Sequence, residues 1–188
     1  MKKSKMKEFV KTATENTKVI NAYFRFDPGF YQNLIPLTSK DKLFLSANEN
    51  DFILNGYIIY RFKDLLKVKI KNDMCVKVLK DEGLLSNIFI PSIDIGNWKS
   101  VLEGLNDLNR NIIIEKRSLD DEDSEFVIGR IDKIYKTFAY VWQFDANGVW
   151  QDSPIKVPYS AITNIKFGSR YVDIFSKYIS EPPLKDSV

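Results

Sequence analysis

The sequence predicts a mainly β protein with short helices, built as two tandem small five-stranded barrel modules that are each preceded by a helix. Three observations predict it. Thirteen Phe, nine Tyr and three Trp in 188 residues supply bulky side chains that strands hold better than helices. Short apolar runs are separated by turn-forming residues at close intervals. Sliding residues 29–79 onto 126–176, a constant shift of 97, superimposes the apolar pattern, the turns and an aromatic-led corner, with Phe62 on Tyr159, Leu65 on Ile162 and Val68 on Ile165.

In chain order, "SKMKEFVKTATENT" reads as a weak helix and "KVINAYFRF" as an extended stretch. "LFLSANENDFILNGYIIYRFKDLLKVKI" then gives strand, polar turn, strand, corner and strand, followed by the short terminal element "MCVKVLKDEG". Gly83, Pro91 and Gly96 break periodicity in "GLLSNIFIPSIDIG", so the first module is residues 1–91 and the second 92–188. The second opens on a helix over 97–109, where Trp98, Val101, Leu102 and Leu105 recur at helical spacing. "NIIIEK", "FVIGRI", "FAYVWQF" and "YSAITNIKF" read as its strands. A terminal helix over 169–180 carries Tyr171, Ile174, Phe175 and Tyr178 on one face and stops at "EPP". Five short strands are too few for a sandwich, and closure into a barrel removes their edges.

This arrangement of a helix followed by five strands resembles the Sm-like and SH3-like small barrels, and the tandem layout resembles uncharacterised bacterial proteins with two such modules. The resemblance lies in strand order and spacing over most of the chain. The paired uridine-binding loops of Sm proteins have no residue-by-residue match here, so it implies a fold and no binding residues.

Composition excludes several functions. Histidine is absent, which removes the commonest general base and metal ligand, and the single Cys75 leaves no Cys/His zinc set. Ser–Lys pairs at SxxK spacing (Ser4/Lys7, Ser39/Lys42, Ser153/Lys156) fall in a terminus, turns and strands, not at the start of a buried helix. The expectation is a protein that is not an enzyme and takes no cofactor or metal. A lone cysteine, no apolar leader and no run of about 18 apolar residues point to a cytoplasmic protein without a membrane segment.

"DANG", 145–148, supplies an Asx residue, an Asn and a Gly between two strand patterns, which is turn chemistry and lacks the ligand spacing of a calcium loop. In "FAYVWQF", alternation sets Phe138, Tyr140, Trp142 and Phe144 on one face, expected to be the inner one, and Ala139, Val141 and Gln143 on the other. Core is the first reading for these rings, more so for Trp142 than for Trp150 beyond the turn, and any surplus would meet the other module, the 97–109 helix or a partner chain, which makes Trp142 and Trp150 candidate binding residues. Lys67, Lys69 and Lys71 alternate in "LKVKIK" and share a face, either as a solvated edge or as a phosphate site. Tyr159, Arg170 and Tyr171 complete the candidate binding residues. Residues 1–91 carry 16 Lys and Arg against 10 acids, and the rest carry 12 against 15, so the first half is +6 and the second −3. "SLDDEDSE", 118–125, reads as an acidic hairpin loop. The function this predicts is a non-catalytic adaptor that contacts an unidentified protein partner. The alternative is an Sm-like binder of single-stranded RNA, and self-association is compatible with either.

Overall fold

The computed structural model describes residues 3–118 and 124–183. Most of the acidic run, 119–123, therefore lies outside the described residues. Helix α1 (Lys3–Glu15) buries Met6, Val10 and Ala13, spaced four and three residues apart on one face. Strands β1 (Ile20–Phe24), β2 (Asp27–Lys40), β3 (Leu43–Asn50) and β4 (Ile53–Arg61) follow, then a 3₁₀ turn at Phe62–Asp64 and strand β5 (Leu65–Ile70). Helices α2 (Met74–Asp81) and α3 (Trp98–Asp107) precede β6 (Ile112–Lys116), β7 (Glu125–Ile134), β8 (Phe138–Gln143), β9 (Ile155–Pro158), β10 (Asn164–Phe167) and α4 (Arg170–Phe175). Asp73, Asn97 and Ser169 cap α2, α3 and α4, each side chain accepting a backbone N–H of the first turn. The terminal helix is shorter than the 169–180 the sequence predicts, because residues beyond Phe175 continue only as turns.

All ten strands form one antiparallel sheet in the order β5-β1-β2-β3-β4-β10-β6-β7-β8-β9. This differs from two separately closed sheets. The boundary between halves is itself a ladder, in which β4 pairs with β10 from Tyr60↔Asn164 to Tyr57↔Phe167. The strand order of the first half recurs in the second, and so does its register. The row Ile70–Ile20–Leu34–Asn48 across β5, β1, β2 and β3 has its counterpart in Phe167–Ile112–Gly129–Gln143 across β10, β6, β7 and β8. Each long second strand carries a one-residue bulge three positions beyond that row, at Leu37 and at Asp132. The gapless shift of 97 holds for β4 and β5 only. It is 95 for β2 and β3 and 92 for β1, because the connections β6–β7 and β8–β9 are longer than their counterparts.

Each half wraps its own apolar cluster. In the first, α1 packs on Ile20, Ala22, Phe24, Leu34, Phe44, Tyr60, Leu65 and Val68. In the second, Trp98, Val101, Leu102 and Leu105 of α3 pack on Ile112, Ile114, Val127, Val141 and Ile165, joined by Leu43, Leu45 and Ile59 from the first half. Along the sheet these clusters lie on opposite faces, since Tyr60 belongs to one and its strand neighbour Ile59 to the other. Strand β4 is thus buried on both sides, which is why Ile58, Ile59 and Tyr60 form an unbroken apolar run. Helix α2 covers Val19, Ile35 and Ala47, and α4 covers Ile128 and Phe144.

The facing of "FAYVWQF" follows the expected one only in part. Ala139 and Val141, expected on the other side, enter the α3 core, Phe138 and Tyr140 are half-buried on the opposite face, and Trp142 and Phe144 are buried as expected. Phe144 is then sealed by α4 and Trp150.

Candidate functional site: the groove at the junction

The residues singled out in the sequence are spread over separate places. Trp142 is 4% exposed and belongs to the interior. Trp150 is half-buried, its Nε1 donating to the Ser180 carbonyl at 2.9 Å and its ring set edge-on to Phe144 at 5.1 Å. Neither indole presents a recognition face. Arg170 opens α4 with its backbone N–H donating to Asn55 Oδ1 at 2.9 Å, and exposed Tyr171 stacks on Phe175.

The lysine row is split by its environment. Lys67 and Lys69 are exposed on the edge strand β5, with Lys67 Nζ 5.6 Å from the Tyr23 ring centre. Lys71 instead turns in, its side chain 10% exposed, and reaches Glu49 Oε2 at 3.4 Å, a carboxylate whose own side chain is 1% exposed. It is a structural ion pair, and the three amines do not form one phosphate-binding face. The "DANG" segment is a turn as expected. Asp145 Oδ1 accepts from the N–H groups of Asn147 and Val149 at 2.9 Å each, and Gly148 takes φ of +77°. The Val149 N–H, ahead of the Asn147 contacts, holds the Asp145 carboxyl below the usual carboxylate range.

Tyr159 alone among the expected residues lines a groove of about 820 Å³ where the two halves of the sheet meet. Four cations converge on it from separate elements: Lys7 from α1, Lys42 from the β2–β3 turn, Arg61 from the end of β4 and Lys63 from the 3₁₀ turn. Asp41 is the one acid among the groove's lining residues. Tyr159 is the half-buried ring of the lining, while Trp98, at the first turn of α3, is 7% exposed and belongs to the core beneath it. Arg61 braces the junction, its Nε on Asp64 and its Nη1 donating to the Ser160 carbonyl at 3.0 Å. Tyr159 is fixed by its hydroxyl donating to the Tyr135 carbonyl at 2.7 Å, and burial raises its phenol pKa, with Glu103 adding to the rise.

Sequence reasoning misses Lys7, Lys42, Arg61, Lys63 and Trp98 as a group because they are far apart in the chain. The available signal is that both chain corners of the first half, "SKDK" and "RFKD", are basic. Among the described residues, no three His, Cys, Asp or Glu side chains gather as a metal site, and no helix is long and apolar enough to cross a membrane. Set against protein-family models, curated proteins and solved structures, the chain matches none.

Proposed function

We propose that the protein is a non-catalytic binding protein of the cytoplasm, composed of two Sm-like small-barrel units at 1–91 and 92–188, whose ligand is a single-stranded nucleic acid laid in the junction groove. The repeated strand order, register and bulges support the tandem reading. The observation that carries the ligand assignment is the convergence of Lys7, Lys42, Arg61 and Lys63 beside the half-buried ring of Tyr159. Cations that track phosphates next to rings that stack on bases are the two components of sequence-tolerant single-strand binding. A whole-chain charge of +3 is small, but the groove's lining carries Lys7, Lys42 and Lys63 against Asp41, with Arg61 balanced by Asp64, so the local balance is positive.

A protein partner is the second reading. It draws on exposed Phe89 and Tyr178, 72% and 85% accessible, and on the surface cluster of Tyr135, Phe138 and Tyr140 with Lys156 Nζ 4.3 Å from the Phe138 ring centre. Fluorescence anisotropy with labelled oligo-U and oligo-A separates the two. Affinity that falls steeply with salt supports the first reading, and the absence of binding at low salt overturns it.

A further inference from the structure

Strands β5 and β9 are the two edges of the described sheet. In the second half β10 stands where β5 stands in the first, and β10 accepts a neighbour there, namely β4. Repeating that contact between molecules would set β9 of one copy against β5 of another. The backbone of β9 opposes it. Tyr159 N–H donates to the Thr137 carbonyl, so by alternation Val157 and Ile155 bond to β8, while Lys156, Pro158 and the preceding Pro154 face outward. Two of these three outward residues have no N–H to give.

Strand β5 has no such guard. Lys71 N–H donates to the Val19 carbonyl, so Lys69 and Lys67 bond to β1, and Val68 and Ile70 direct N–H and C=O groups to the open side, up to the register shift at Leu66. An edge of this kind is a template for another strand. The two side-chain faces of β5 differ in what they offer such a strand. On the side of Val68 and Ile70 lies a groove of about 540 Å³ between α1 and β5, with Phe9, Ala13 and Ile70 as its apolar lining and Lys5, Lys18 and Glu8 as its charged residues. On the other side stand exposed Lys67 and Lys69. Lysines on an edge repel a second lysine-bearing strand and select an acidic one.

We propose that the β5 edge binds, by antiparallel strand addition, an extended segment of a partner protein in which apolar and acidic residues alternate. Main-chain hydrogen bonds to Val68 and Ile70 provide the affinity. Apolar side chains enter the α1 groove and carboxylates meet Lys67 and Lys69.

A fluorescent eight-residue peptide of alternating Val and Glu tests this, with alternating Val and Lys and a centrally Pro-substituted Val–Glu peptide as controls. The Val–Glu peptide should bind, the controls should bind at least about tenfold more weakly, and amide exchange at Val68 and Ile70 should slow. Ile70→Pro, which places on β5 the guard that β9 carries, should weaken binding about tenfold or more. Lys67→Glu with Lys69→Glu keeps every backbone donor and should switch preference to the Val–Lys peptide. Three results overturn the proposal: no binding of the Val–Glu peptide, binding indifferent to both variants, or edge amides already protected by self-association in sedimentation of the free protein.

Discussion

The carboxylate of Glu115 lies in the β10–β6 ladder with its Oε2 2.9 Å from the side-chain amide of Asn164, the residue directly opposite it. Lys166 bonds its other oxygen, and Arg117 Nε donates to Oε2 at 3.1 Å. Asn164 in turn pairs with Tyr60 of β4, so this acid sits one strand away from the joint between the halves. Burial pushes the Glu115 pKa up, but Lys166, Asn164 and Arg117 together outweigh it and hold the carboxyl below the usual glutamate range. A lowered folded pKa contributes stability that is complete above the usual glutamate value and is lost as pH falls through the lowered one. Glu115→Gln is expected to cost about 1.5–3 kcal/mol at neutral pH, as for loss of charged hydrogen bonds. The gap between wild type and variant should narrow in acid, which urea midpoints measured across pH will show.

Gly56 makes the same joint sterically tight. Its φ is +73°, and a Cβ there would lie 2.5 Å from the backbone carbon and oxygen of Gly168. Gly56→Ala therefore combines left-handed strain of about 1–2 kcal/mol with a backbone clash that only separation of the strands relieves. A total loss of about 2–4 kcal/mol is expected in urea unfolding. An unchanged midpoint would mean the halves are not held this closely in solution.

The elements were legible in the sequence where their signal is local. Trp98, Val101, Leu102 and Leu105 mark α3 by spacing alone, and Asp145 with Gly148 marks a turn by chemistry that needs no distant partner. The joint was not legible, because the run Ile58–Ile59–Tyr60 owes its two-sided burial to the α1 cluster on one face and the α3 cluster on the other, and its ladder partner β10 lies more than a hundred residues away in the chain. The facing of β8 was legible for Trp142 and Phe144, which are buried, but not for Ala139 and Val141, because both faces of this part of the sheet are covered, by α3 on one and by α4 on the other, and alternation assumes one covered face. Alternation correctly put Lys67, Lys69 and Lys71 on one strand face, but it carries no information that Glu49 waits for Lys71. The groove depends on corners that meet only in three dimensions.

The different fates of those lysines are testable. Lys71→Met strands the Glu49 carboxylate in a buried place, and its remaining hydrogen bond from the Phe52 N–H does not neutralise it. A destabilisation of about 3 kcal/mol or more is expected, as for other buried pairs that lose one partner. Lys69→Met, on the exposed edge, should change stability by no more than about 0.5 kcal/mol. Thermal and urea unfolding of the two variants side by side measure the contrast, and equal effects would place Lys71 in solvent.

Lys42 and Lys63 are the groove cations best suited to test the ligand, since Arg61 also braces the junction and Lys7 hydrogen-bonds the Asp41 carbonyl. If each neutralises one phosphate of a single strand, Lys42→Gln with Lys63→Gln should lower the slope of log affinity against log salt by about 1.4 in magnitude. Affinity at low salt should fall about tenfold or more, with little change between oligo-U and oligo-A, because phosphate contacts carry no sequence information. Lys67→Gln with Lys69→Gln should leave RNA affinity within about twofold of wild type, since these amines stand on the β5 edge outside the groove. Should the second pair carry the loss and the first be silent, the nucleic acid lies along the sheet edge and the junction groove is not its site.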